Sequence, residues 1–297
     1  MKKTGFIAIV GRPNVGKSTL LNAILGEKVA IVSAKPQTTR NRITGIHTEG
    51  ENQFVFLDTP GIHAPKNALG EYMVKTANST MMDADVIVFV ADASREPGQL
   101  DLSIVENIKN SDIPAILVLN KTDTTGAEAI GARLQEYSEL HDFEAYVPIC
   151  ARRGEGVKPV LQECEKFLHE EEEWFFPDDI VTDQPERQMA AEIIREKLLR
   201  TLNKEIPHGI AVVIEDFKDE DTLIRINANI YCEKESHKGI IVGKGGAELK
   251  MVGTYARQDM EKLFGTKVYL NLWVKVKANW RESEQVVSNF GYNRDEE

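Results

Sequence analysis

Between the apolar run Phe6-Ile7-Ala8-Ile9-Val10 and the helix-forming segment Thr19–Leu25 stands Gly11-Arg12-Pro13-Asn14-Val15-Gly16-Lys17-Ser18, a G-x-x-x-x-G-K-S pattern. Strand, glycine-rich turn and helix in that order are what a phosphate-gripping loop requires. Glycine at positions 11 and 16 lets backbone N–H groups wrap closely around a polyphosphate. The helix behind it turns its unpaired N–H groups and positive dipole end toward the anion, with Lys17 reaching the β/γ-phosphates and the Ser18 hydroxyl ligating Mg²⁺. The candidate phosphate contacts are Gly11, Asn14, Val15, Gly16, Lys17, Ser18 and Thr19.

A chain of 297 residues is too long for one typical core and points to two domains. Its three scattered cysteines lack C-x-x-C spacing, which argues for a reducing cytosol and against a disulfide framework or zinc site. The two lysines at the start are followed by only five apolar residues, a core strand and not a signal peptide, and no stretch is long enough to span a membrane. The net charge of −11 argues against nucleic acid, but the charges are unevenly placed. From Ser236 to Arg281 nine basic residues face three acidic ones, a local balance of +6.

After the phosphate loop, Ala34–Arg42 is polar and aperiodic, a loop that carries Thr38-Thr39 where nucleotide switches keep a Mg²⁺ ligand. Residues 42–48 and 53–57 read as strands around the turn Glu49–Asn52. The second ends in Asp58-Thr59-Pro60-Gly61, where an aspartate can hold Mg²⁺ through water and the Gly61 N–H can approach a γ-phosphate. Asp85–Ala91 and Ala115–Leu119 are continuous apolar runs, as in strands buried on both faces of a parallel sheet. Helical stretches over 70–82, 98–110 and 127–140 alternate with them, the pattern of a doubly wound α/β domain whose ligands bind beyond the carboxyl ends of the strands. One such end carries Asn120-Lys121-Thr122-Asp123. Its aspartate can accept from both N1–H and the amine of guanine, which adenine cannot reproduce. The Lys121 stem can cover the base, and Asn120 can tie this loop to the phosphate loop.

Gly11–Ser18, Thr38-Thr39, Asp58–Gly61 and Asn120–Asp123 together resemble the translation-factor-type GTPases. The resemblance implies GTP or GDP as ligand, Mg²⁺ held by Ser18, Thr39 (favoured over Thr38) and, through water, Asp58, and catalytic roles for Lys17, Thr39 and Gly61. It also assigns Cys150-Ala151-Arg152, after the strand Ala145–Ile149, to the loop that offers a backbone N–H to guanine O6. Cys150 and Arg152 depart from that family's serine and lysine. Ile62 stands where Ras-type members carry the glutamine that orients water. By resemblance to GTPases with an apolar residue there, slow intrinsic hydrolysis is expected, with Asn14 holding a monovalent cation such as K⁺.

A helix over 156–168 leads into Glu170–Glu173, a solvated acidic helix end, then aromatics and Pro177, which mark a boundary near residue 175. The expected division is a nucleotide domain over 1–172, a linker over 173–186 and a second domain over 187–297. In the latter, an amphipathic helix over 185–203, strands over 210–214 and 222–231, the run Gly239–Lys250, a long helix to about Leu263 and a strand over 268–276 follow in order. That order, with Gly243-Lys244-Gly245-Gly246 as its G-x-x-G turn, resembles an α+β KH domain of the αββααβ kind. The turn would clamp about four single-stranded nucleotides, with Lys244 and Lys250 supplying charge and Ile241, Val242 and Leu249 an apolar floor.

One GTPase domain followed by one KH domain is similar to a bacterial family of ribosome-assembly GTPases. The resemblance implies binding to the 3′ end of 16S rRNA, assistance to 30S subunit assembly coupled to growth and division, a monomer, and a cytoplasmic protein with peripheral contact to the inner membrane. Two rivals are a non-switching RNA-binding protein in which GTP only supports the fold, and an ATP-using P-loop enzyme, against which Asn120–Asp123 argues.

Overall fold

The computed structural model describes residues 1–33, 35–202 and 206–292. Ala34 of the threonine loop, position 203 of the expected helix and the tail 293–297 lie outside the described residues. Two compact units emerge, one of Met1–Pro65 with Gly70–Asp183, the other of Lys66–Leu69 with Gln184–Glu297.

The larger unit is a P-loop α/β domain: β1 (Lys2–Val10), α1 (Lys17–Leu25), β2 (Ile43–Glu49), β3 (Asn52–Asp58), α2 (Ala68–Met82), β4 (Val86–Asp92), α3 (Gln99–Ser111), β5 (Ala115–Asn120), α4 (Ala127–Leu140), β6 (Ala145–Pro148), α5 (Val157–Glu165) and β7 (His169–Glu171). The sheet order is β2-β3-β1-β4-β5-β6, parallel except for β2, with β7 pairing antiparallel to the start of β1. Each central strand is buried on both faces. Ile7, Ile9, Val88 and Val118 join a core with α1 and α5, whereas Ala8, Val10, Phe89 and Leu117 join one with α3 and α4.

The acidic run does not continue a helix. That helix ends at Glu165, and Glu170 and Glu171 pair with Lys3 and Lys2 on β7. The stretch behind it is docked: Phe175 stacks on Phe6 at 5.1 Å, Gln53 and Phe176 exchange two hydrogen bonds, and Thr182 donates to the Thr44 carbonyl. The Ile46 N–H of edge strand β2 donates to the Val181 carbonyl at 2.8 Å, which covers an otherwise open edge.

The smaller unit runs α6 (Glu186–Thr201), β8 (Ala211–Asp219), β9 (Leu223–Cys232), α7 (Glu235–Val242), α8 (Ala247–Phe264), β10 (Lys267–Val276) and α9 (Glu284–Asn289). Its sheet has the order β10-β9-β8, with β9 parallel to β10 and antiparallel to β8. Ile224, Ile226, Ala228 and Ile230 alternate into a core with α6 and α8. This is the KH arrangement with one addition. Beyond β10 the chain folds back, buries Trp280 completely, donates its indole N–H to the Gly209 carbonyl at 2.9 Å and stacks Phe290 on Tyr231.

Candidate nucleotide site and nucleic-acid groove

The phosphate loop closes around Lys17, whose ammonium donates to the carbonyls of Gly11 and Arg12 at 3.1 and 3.0 Å. Ser18, first in α1 after Lys17, donates to Asp58 Oδ2 at 2.6 Å and lies 2.8 Å from the Thr39 hydroxyl. The Thr38 hydroxyl instead donates to the Lys35 carbonyl. Three oxygen-bearing side chains from three segments thus meet beside the lysine. Asp58 Oδ1 is buried with no hydrogen-bond partner among the described residues. Burial pushes the Asp58 carboxyl up to about 6, against the charge of Lys17 and the Ser18 and Thr39 hydroxyls. It pushes the Lys17 ammonium down to about 8, against the charge of Asp58. An orphaned carboxylate oxygen flanked by two hydroxyls is a hard-donor set of the kind Mg²⁺ takes, so these residues fit that ion.

Gly61 lies against the phosphate loop: a methyl group on it would come 2.7 Å from the backbone N and Cα of Pro13. Next to it the Ile62 side chain is buried in the core that includes α3 and α4. His63 was not singled out by its sequence context. With the Gln37 amide donating to Nε2 at 3.0 Å, the ring proton sits on Nδ1 and is donated to the Gly61 carbonyl at 2.8 Å. The ring therefore links the threonine loop to the Asp58–Gly61 loop. Ile31, Val32 and Ser33 also line the cavity beside Lys17. Arg12 turns away, its Nε 3.0 Å from the buried Asp101 of α3.

At the ends of β5 and β6, Asn120 donates to the Val15 carbonyl at 2.8 Å and accepts from the N–H groups of Lys121 and Ala151. The loop bearing Asp123, the 150–152 loop and the phosphate loop are thereby fixed to one side chain. Lys121 extends to Asp92 Oδ2 at 2.7 Å. The Cys150 thiol, then the Arg152 guanidinium 2.6 Å away, hold the Asp123 carboxyl below the usual carboxylate range. Both departures from the serine and lysine of the family pattern act on the one carboxylate placed to read a base. Val15 is buried in the core beneath the loop and contributes its carbonyl.

In the smaller unit, Gly243 has φ 72°, and a side chain there would collide with Glu248. Lys244, Gly245 and Gly246 form the turn between α7 and α8. Ile241, expected on the apolar floor, is buried in the domain core and presents no surface to a base. Val242 is partly exposed. Leu249 and Lys250 line a groove of about 370 Å³ between α8 and β10, together with Gly253, Thr254, Arg257, Leu270 and Leu272. Helical spacing carries 250, 253 and 257 along one stripe of α8, and strand spacing carries 270 and 272; that periodicity is the available signal.

Comparisons with known proteins agree with both units. A family model described as a 50S ribosome-binding GTPase matches residues 6–121, and a KH-domain model matches 205–281. GTPase Era of Ruminiclostridium cellulolyticum is 49% identical, covering 98% of this chain and 97% of its own length. GTPase Era of Clostridium botulinum strain Okra is 50% identical over 99% of each. Among solved structures, a variant of Aquifex aeolicus Era bound to GDP·AlF4⁻ superposes with a TM-score of 0.95 at 42% identity, covering 98% of this chain and all of that one. An Era in complex with MgGDPNP and nucleotides 1506–1542 of 16S ribosomal RNA does so with the same TM-score and identity over 99% of this chain and all of that one.

Proposed function

The chain belongs to the Era family of GTPases, and from that premise we propose a GTP-hydrolysing switch whose KH domain binds the 3′ end of 16S rRNA and that assists 30S subunit assembly, coupled to growth and division. The observation that carries the switch is the meeting of Ser18, Thr39 and Asp58 beside Lys17. Thr39 lies on a loop and Asp58 at the end of β3, two separate segments that would sense the γ-phosphate end of a nucleotide.

Lys17 and the N–H groups of residues 11–19 bind the phosphates. The Gly61 N–H orients the γ-phosphate and Thr39 closes over it. Asp123 reads guanine, the Lys121 stem covers it, Asn120 fixes the surrounding loops and the Ala151 N–H meets O6. Ser18, Thr39 and, through water, Asp58 would hold Mg²⁺, which when bound neutralises charge developing on the β- and γ-oxygens. Ile62 leaves no side chain to orient water, so hydrolysis is slow alone, and Asn14 would hold a monovalent cation such as K⁺ in place of an arginine finger. Identical hydrolysis rates in potassium and sodium buffers would remove that role.

Support for RNA comes from the relative crystallised with the 16S segment and from the basic groove of this chain's own KH domain, lined by Lys250 and Arg257. The 50S description belongs to a model that covers only the GTPase half; the RNA-facing half is the KH domain. Among the described residues no helix is long and apolar enough to cross a membrane. A cytoplasmic monomer with peripheral membrane contact follows from the family resemblance.

The test loads the protein with GDP or a non-hydrolysable GTP analogue and measures binding to nucleotides 1506–1542 of 16S rRNA at fixed salt. Tighter binding with the analogue supports the switch. Equal binding favours the non-switching RNA-binding protein.

A further inference from the structure

The two faces of β10 carry different chemistry. Leu270 and Leu272 face α8 and line the groove, while Tyr269, Asn271, Trp273 and Lys275 alternate onto the opposite face of the sheet. Tyr269 and Trp273 are 50% and 60% exposed, unusual for large aromatics. Across the strand pair, Tyr269 is in register with Arg225, whose guanidinium lies 5.4 Å from the ring centre, and Asn271 with Asn227.

In a protein of net charge −11, neither β9 nor β10 contributes a carboxylate to this face. The acidic groups that border it are engaged: Glu220 with Arg225, Glu215 with Asn229, and Asp216 with Lys218. Toward the other end, Phe290 covers Tyr231 at 4.4 Å. The open part is thus a column of aromatic, amide and basic side chains on an edge strand.

We propose that this outer face of β9 and β10 is a second nucleic-acid surface, on which bases of a single strand leaving the α8–β10 groove stack against Trp273 and Tyr269 while Lys275 meets phosphates. Exposed aromatics interleaved with cations are the platform single strands use, because every base has a face to stack. The occupant is continuous with the groove. A strand lying over Leu272 reaches Trp273, the next residue of β10, by passing round the open edge of that strand. The surface therefore lengthens the RNA footprint and rests on the KH reading above.

Full-length protein is titrated with two labelled RNAs from the 16S 3′ end, one of about five nucleotides, enough to fill the clamp, and one of about twelve, long enough to continue onto the outer face. Trp273→Ala and Tyr269→Ala each weaken the longer RNA by about tenfold, leave the shorter unchanged, and Trp273→Phe restores most of the loss. Unchanged binding of both RNAs by Trp273→Ala overturns the proposal and turns the face toward a protein partner. Equal loss on both RNAs overturns it too, since the residue then acts through the groove. Wild-type protein that binds neither RNA, or whose binding survives Gly243→Asp, refutes the KH reading itself.

Discussion

The Arg152 guanidinium sits 2.6 Å from Asp123 Oδ2, on the carboxylate placed to accept from guanine. Arg152 is three-quarters exposed, whereas Asp123 is nearly enclosed. An exposed ion pair contributes little, so Arg152→Ala changes GDP affinity by less than about threefold. Asp123→Asn is different in kind. A buried acceptor matched to two N–H donors discriminates far more strongly than an apolar contact, and its loss erases the preference for GTP over ITP. Competition between labelled GDP and each triphosphate measures both effects.

Motifs whose geometry is local were legible in the sequence. Gly11–Ser18 and Asn120–Asp123 each sit at a strand end, and the apolar runs of β1, β4 and β5 announced a two-faced parallel sheet. What depended on contacts distant in sequence was not. Resemblance alone favours Thr39 over Thr38 until Ser18 and Asp58, from segments well before and well after the threonine loop, come together beside one of them. Ile241 adjoins the G-x-x-G turn, but helix α7 turns it inward. Trp174–Asp183 has the composition of a linker, and partners distant in sequence, among them Phe6, Gln53, Thr44 and Ile46, hold it to the sheet.

Proton linkage at the Asp58–Lys17 pair gives a second prediction. The Asp58 value in the folded protein, about 6, lies above its unfolded value of 3.8. The nucleotide-free fold therefore binds more protons than the unfolded chain between these values, and its stability falls as pH rises from about 4 to 6. Lys17 is shifted down from 10.5 to about 8, so stability rises again between about 8 and 10.5. Asp58→Asn removes the acid-side trend and raises the midpoint of thermal unfolding of the nucleotide-free protein at pH 7, while abolishing Mg²⁺-dependent tightening of GDP binding. In the unaltered protein, that tightening fades as pH drops through about 6. Thermal melts across pH, with and without Mg·GDP, decide the matter.

Gly61 leaves no room for a side chain against Pro13. In Gly61→Ala the methyl group pushes the Asp58–Gly61 loop away from the phosphate loop and carries the His63 link with it. GDP, which lacks the γ-phosphate, binds within about threefold of the unaltered protein, whereas single-turnover hydrolysis slows by at least about tenfold, in line with the loss of a positioned donor. Equal slowing of hydrolysis and loss of GDP affinity would place the damage in the phosphate loop instead.

Trp280 lies beyond β10, yet among the described residues it is the largest fully buried side chain. Its indole N–H satisfies the Gly209 carbonyl, and its ring meets Phe290 at 5.3 Å and Tyr292 at 6.1 Å. Truncating a buried aromatic of this size costs about 3–5 kcal/mol, and the orphaned carbonyl adds to that. Because Trp280 closes the KH domain and has no part in the nucleotide site, Trp280→Ala lowers the unfolding midpoint of the KH domain and its RNA affinity at elevated temperature. GDP affinity at low temperature is unchanged. Trp280→Phe keeps the packing but cannot donate to Gly209, so it falls between the two. Urea unfolding followed separately by RNA anisotropy and by labelled-GDP release distinguishes these outcomes; simultaneous loss of both signals at low urea would show that the segment supports more than its own domain.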